Sequence, residues 1–182
     1  MNWSDEELID GCKRQSPKHE ELFFKKYYGY VMSISLSYAK DSDLAKEIVH
    51  DSFLKFFASI ESLDGYQSVK AWLRRITVNA AIDWFRKNKK YAMQQDITEQ
   101  NEVYHEVHAL SALAYEDLIK LLQQLPEDHK LVFNLYEVEG YSHREIGEKL
   151  GITESSSRVY LARAKSRLRQ LVHIHLKEYA GR

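Results

Sequence analysis

The stretch YSHREIGEKLGITESSSRVYLARAKSRLRQL, residues 141–171, decides how the chain is read. Ser142-His143-Arg144-Glu145 has the form of a capping box, serine followed three residues later by glutamate, and opens a helix whose apolar positions are Ile146 and Leu150. Gly151 stands where a left-handed turn residue is needed, Gly147 is small enough to let two helices approach closely, and Thr153 can cap a second, longer and basic helix. This is the grammar of a helix-turn-helix. In the second helix Leu161, Ala164, Leu168 and Leu171 are spaced 3, 4 and 3 apart and line a core. At about 100° per residue, Ser155, Ser156, Val159, Ala162, Arg163 and Ser166 then point away from that core, with Arg158 on the flank. Small side chains let a helix sit deep in a major groove. Val159 and Ala162 can touch thymine methyls there, and Arg158 or Arg163 can reach guanine or phosphate.

Working outward, Leu118, Leu121, Leu122 and Leu125 form one helical face ahead of Pro126, which is expected at the first position of the next helix with Glu127 and Asp128 in its first turn. Leu131, Val132, Leu135 and Tyr136 are expected on the core face of that helix, and Gly140 to end it. Nearer the start of the chain, Ser4-Asp5-Glu6-Glu7 is another capping box, opening a short helix through Leu8, Ile9 and Cys12 that Ser16-Pro17 breaks. From Glu20 to Lys40, Leu22, Phe23, Tyr27, Tyr30, Val31, Ile34 and Tyr38 recur at helical spacing. Asp41-Ser42-Asp43 supplies a new cap, and Leu44, Ile48, Phe53 and Phe56 or Phe57 continue as a helix until the loop signal Asp64-Gly65. The next helix starts at Ser68 or Val69. Trp72, Leu73, Ile76, Ala80 and Trp84 mark its inner side, and the basic run Arg86 to Lys90 closes it at the negative end of the helix dipole.

The expected fold is all-α: two small helical domains, residues 1–91 and 116–182, joined by a linker over 92–115 whose glutamines, acids and alanines show weak periodicity. Two prolines and seven glycines in 182 residues, with 29% charged, agree with helices rather than turn-rich sheets. Cys12 is the only cysteine, which excludes a disulfide framework and a thiolate zinc cluster and suits a reducing compartment. The N-terminus is acidic where a signal peptide is basic, and no apolar run approaches the roughly 18 residues of a membrane span, so a soluble cytoplasmic protein without membrane insertion is expected.

A net charge of −1 is low for a protein that binds nucleic acid unaided, because counterion release needs cations facing the phosphates. The cations are clustered instead, as Lys70, Arg74, Arg75, Arg86, Lys87, Lys89 and Lys90, and as Arg158, Arg163, Lys165, Arg167 and Arg169. Weak binding to free DNA and dependence on a partner follow. Glu47-x-x-His50 and Glu102-x-x-His105 repeat the ligand pair of di-metal carboxylate bundles but lack the further inward glutamates, and no glycine-rich phosphate loop occurs. No metal, cofactor or catalytic residue is expected.

The order of these motifs, from about Ser4 to Val172, resembles the extracytoplasmic-function sigma factors, group 4 of the sigma-70 family. The run from Asp43 to Phe57 looks like the family's helix that docks on the clamp coiled coil of the polymerase β′ subunit, which implies Leu44, Glu47, Ile48, Asp51, Ser52 and Phe53 as core-polymerase contacts. Ala71 to Asn79 resembles the segment that engages the melted minus-10 element. There the resemblance implies Tyr66, Gln67, Ser68, Arg74, Arg75, Asn79 and Arg86 as DNA contacts, Tyr66 stacking on a flipped base, while Trp72 and Trp84 read as core by spacing. Leu125 to Leu171 is similar to the second domain, which implies minus-35 recognition by Ser155, Ser156, Arg158, Val159, Ala162 and Arg163. Position 157 departs from the pattern, being serine where the family usually has an aliphatic residue, so a slightly weaker anchor is expected there.

The resemblance further implies core RNA polymerase as partner, through the β′ clamp and the β flap, together with promoter DNA and an anti-sigma factor. The free chain is expected to be a monomer. Promoter elements separated by roughly 17 base pairs lie about 58 Å apart. A helical linker of about 24 residues spans only ~36 Å and an extended one ~80 Å, so the linker is expected to extend at least in part on the polymerase. Two other readings stay open at this point: a stand-alone helix-turn-helix regulator, which needs dimer symmetry and more basic surface, and a helical adaptor whose basic faces are only solvated.

Overall fold

The computed structural model describes residues 3–63, 68–92 and 115–180. Among the described residues all regular structure is helical, as the composition implies. The chain divides into two compact units, Met1–Trp84 and Phe85–Arg182. Apart from its ends, the expected linker falls outside the described residues.

In the first unit, α1 (Asp5–Lys13) opens with the expected capping box: Glu7 N donates to Ser4 Oγ at 3.1 Å and Ser4 N to Glu7 Oε2 at 2.8 Å. The helix α2 (Pro17–Tyr38) begins three residues earlier than its periodicity suggests, because Pro17 is its first residue rather than a breaker, and its missing N–H costs nothing there. The two helices cross closely, and a Cβ on Gly11 would lie 2.1 Å from the His19 ring. Asp5 ties them, taking an ion pair from Lys26 at 2.7 Å, and hydrogen bonds from Lys26 and then Tyr27 hold its carboxyl below the usual carboxylate range. Asp41 caps α3 (Ser42–Ser59), accepting from Leu44 N at 2.8 Å, and a single 3₁₀ turn, Ile60–Ser62, ends it. Then comes α4 (Val69–Ala92), of which the residues up to Trp84 belong to this unit.

Aromatic residues dominate this unit's core. Phe23 is fully buried, stacked on Phe56 with centroids 4.4 Å apart, and Trp72 meets Phe56 edge-on at 5.1 Å. Burying one such ring contributes about 1.5–3 kcal/mol. Val31, Val49, Phe53, Ile60 and Leu73 complete the packing. Trp72 and Trp84 are half-buried, consistent with inward placement.

The second unit contains α5 (Tyr115–Gln123), α6 (Glu127–Phe133), α7 (His143–Leu150) and α8 (Glu154–Ala180). Pro126 is the residue before α6 rather than its first. The helix α6 runs into a π-helical stretch, Asn134–Val138, and this corrects one expectation. A π-helical turn holds more residues than an α-helical one, so those that follow fall behind the α register, and here Asn134 and Leu135 are buried while Tyr136 is exposed rather than in the core. Leu122, Leu125, Leu131, Val132, Ile146 and Leu150 pack with Leu161, Ala164, Leu168 and Leu171 of α8 to form the core.

Candidate nucleic-acid interface

The geometry of the 141–171 stretch is that of its sequence. Ser142 caps α7, accepting from Glu145 N at 3.3 Å, while Ser142 N donates to Glu145 Oε2 at 2.8 Å. Gly151 turns the chain at φ 65° and ψ 40°, the left-handed region that disfavours other residues. A Cβ on Gly147 would lie 2.9 Å from the Ile152 carbonyl oxygen, so a small residue is needed where α7 meets the turn. Thr153 caps α8, its Oγ1 accepting from Ser156 N at 3.0 Å. The N-terminal part of α8 is thereby fixed and its outer side left open.

On that side Ser155 and Arg158 are exposed and Val159 is 40% exposed. Ser156, Ala162 and Arg163 are half-buried, so the open surface is centred nearer the N-terminus of α8 than the sequence projection places it. The Ser156 hydroxyl is engaged with Thr153 Oγ1 at 2.8 Å. Arg158 pairs with Glu154 one turn back, both largely exposed, a contact weak enough to be exchanged for a phosphate. Arg163 acts electrostatically on His129 and Tyr160, so it faces the start of α6 as well as solvent. Burial, and after it Arg163, push the His129 imidazole below its ordinary value against the opposing pull of Asp128.

Ser157 corrects a second expectation. The serine is fully buried, and its hydroxyl lies 3.0 Å from His143 Nδ1. It is a hydrogen-bonded anchor between α7 and α8, not a loosened apolar one. His143 stacks on Tyr136, with centroids 4.5 Å apart and planes at 22°. Burial and then the Arg158 charge lower the pKa of this imidazole.

In the first unit the structure divides the residues expected on α3. Leu44, Ile48, Ser52 and Phe53 are buried, and Ser52 donates to the Ile48 carbonyl, so none of the four offers a side chain to a partner. Helical period explains this correction, because a contiguous motif wraps the whole helix and only one side of it faces out. Glu47 and Asp51 are exposed. They share that side with His50 and with Leu54, which is 56% exposed and was not singled out by sequence.

On α4, Ser68, Arg75 and Arg86 are exposed, and Arg74 and Asn79 half-buried. Arg75, Asn79 and Arg86 fall within about 40° of one another around the axis, whereas Arg74 lies about 100° away from Arg75. Arg74 is on the side of Lys70, whose ammonium sits 5.6 Å from the Tyr30 ring centroid. Tyr66 and Gln67 lie outside the described residues. Among the described residues no group of three His, Cys, Asp or Glu side chains is placed to hold a metal ion, and no helix is long and apolar enough to cross a membrane.

A glycine-turned, doubly capped pair of helices presenting small residues and arginine defines a helix-turn-helix DNA-binding protein, with a second helical unit preceding it. Residues 23–91 match the family model of sigma-70 region 2, and residues 115–168 that of sigma-70 region 4. The extracytoplasmic-function RNA polymerase sigma factor SigM of Bacillus subtilis (strain 168) is 29% identical over 152 residues, 81% of this chain and 91% of that protein. The RNA polymerase sigma factor SigV of the same organism is 31% identical over 137 residues, 75% of this chain and 80% of its own length. Among solved structures, the sigma factor RpoE, in complex with the anti-sigma factor NepR from Bartonella quintana, aligns over 85% of this chain and 96% of its own, at 21% identity and a TM-score of 0.49. The chain belongs to the sigma-70 family of RNA polymerase sigma factors, in its extracytoplasmic-function group, and directs transcription initiation. The match of its first unit to region 2 disfavours the stand-alone regulator.

Proposed function

We infer that the chain joins core RNA polymerase through the outer side of α3, by Glu47, His50, Asp51 and Leu54, and reads promoter DNA with both units. An exposed leucine set among carboxylates is the observation that carries this docking site, because a desolvating apolar centre with a charged rim is what a partner surface needs. Arg75, Asn79 and Arg86, with Ser68 and the preceding residues Tyr66 and Gln67, engage the melted minus-10 strand. On α8, Ser155, Arg158 and Val159 enter the minus-35 major groove, with Ser156, Ala162 and Arg163 at the margin.

The chain catalyses nothing itself, works in the cytoplasm and is a monomer when free. Membership of the family supports a β-flap contact by the second unit and control by an anti-sigma factor that covers the polymerase-binding surfaces. The near-neutral charge supports weak binding to free DNA and promoter recognition only on the polymerase.

Co-migration of the full chain with core polymerase in size-exclusion chromatography tests the docking site. The wild-type chain is expected to co-migrate, and the double variant Asp51→Lys, Leu54→Glu to elute alone while keeping its helical circular dichroism. Retention of the double variant on the polymerase would place the contact elsewhere.

A further inference from the structure

Ser157 stands on α8 between the outward residues Ser156 and Arg158, and it is the polar residue buried deepest in that helix. A buried hydroxyl is costly without a partner, and His143 Nδ1 lies 3.0 Å away to satisfy it. His143 is the first residue of α7, and its ring is braced from the other side by Tyr136 of the π-helical stretch. Three segments thus meet at one hydrogen bond. Turning α8 about its axis far enough to part Ser157 from His143 also swings Ser155, Arg158 and Val159 off their common side, because all four lie within about one turn.

We propose that His143 is a positioning residue for duplex recognition, its ring fixing through Ser157 the rotation at which α8 presents Ser155, Arg158 and Val159 to the minus-35 duplex. The proposal rests on α8 being the reading helix. Arg158, Glu154 and Lys165 of α8 are the charged groups that act on the imidazole, while on α7 Arg144 pairs with Glu148 and Glu145 is bound to Ser142. Glu154 is paired with Arg158, and Glu137 with Lys165 at 2.7 Å. Burial and the two nearby cations disfavour the imidazolium, so the ring is neutral at neutral pH and Nδ1 can accept a hydrogen bond from the Ser157 hydroxyl. Acidification reverses the hydrogen bond, Nδ1–H then donating to the Ser157 oxygen, and places a charge against Arg158 and Lys165 that strains the contact. Sequence discrimination by the polymerase-bound protein should therefore weaken as pH falls.

The test uses the full chain assembled with core polymerase. A fragment selected by this holoenzyme from a pool randomised at the minus-35 element is compared with the same fragment carrying that element scrambled, and the ratio of the two dissociation constants is the readout. At pH 7.5, His143→Ala and Ser157→Ala should each lower the ratio about fivefold, and the double variant should lose no more than either single one. His143→Asn, which keeps a polar atom near the place of Nδ1, should restore most of the ratio. It should also lack at least half of the wild-type decline between pH 7.5 and 5.5. If His143→Ala fails to fold, judged by amide exchange, the ratios for Ser157→Ala and His143→Asn decide in its place. An unchanged ratio for His143→Ala while Val159→Asp abolishes discrimination, or additive losses in the double variant, would overturn the positioning role. If Val159→Asp also leaves the ratio intact, α8 is not the reading helix and the proposal falls with that reading.

Discussion

One substitution, glycine to alanine, should act in opposite directions at two open positions of this chain. A Cβ built on Gly29, in the middle of α2, meets nothing within 4 Å, so alanine there gains helix propensity of about 0.8–1.0 kcal/mol without a clash. At Gly151 a Cβ also meets nothing within 4 Å, yet the backbone is at φ 65°, where an L side chain costs about 1–2 kcal/mol. Restricting the unfolded chain returns ~0.4–1 kcal/mol, leaving a net destabilisation of about 1 kcal/mol. The two variants should therefore differ by roughly 2 kcal/mol, about thirtyfold in the constant for local opening. Because the two units need not unfold together, native-state hydrogen exchange is the suitable assay, read on α2 amides for Gly29→Ala and on α7 and α8 amides for Gly151→Ala. Gly151→Asn should recover part of the loss, since asparagine tolerates the left-handed region. Slower exchange in α7 on Gly151→Ala would show that the turn is not held at positive φ and that the helix-turn-helix geometry above is wrong.

Phe23→Ala removes a fully buried ring stacked on Phe56 and should cost about 3–5 kcal/mol, seen as lost amide protection in α2 and α3 with α7 and α8 unaffected. His129 and His143 both have folded pKa values below the ordinary 6.5, so the unfolded chain takes up their protons first; the stability they contribute is present above about pH 6.5 and is lost as pH falls below it. Thermal unfolding of the second unit at pH 7.5 and 5.5 checks this, and the double variant His129→Asn, His143→Asn should show a smaller drop. Cys12 is buried and its thiol is pushed up to about 11 by desolvation, so the native chain should resist iodoacetamide at pH 8 and react once denatured. Fast alkylation under native conditions would mean that α1 detaches from α2.

The features legible in sequence are those set by neighbours in the chain. Both capping boxes, the Asp41 and Thr153 caps and the Gly151 turn need only residues within one helical turn, and each is found where the sequence puts it. The core side of α8 was legible for a related reason: Leu161, Ala164, Leu168 and Leu171 obey a period that can be projected, and all four are buried. On α3 the same projection would have separated Glu47, Asp51 and Leu54 from the buried Leu44, Ile48, Ser52 and Phe53, but family likeness along a continuous run hid it. The π-helical stretch that releases Tyr136 leaves no periodic mark, since it shifts the register of one turn only. The partner of Ser157 was out of reach because His143 lies fourteen residues away, across a turn whose packing no local pattern encodes.

The division of labour along α8 has an evolutionary consequence. Its inward residues, from Ser157 to Val172, hold the second unit together, whereas Ser155 and Val159 contribute little to folding because they point outward. Substitutions at such exposed positions usually alter stability by less than about 0.5 kcal/mol, so variation in the outward residues is almost invisible to selection for a folded chain. If the outward side of α8 reads the promoter as proposed, one or two substitutions there would redirect promoter preference with no compensating change in the interior.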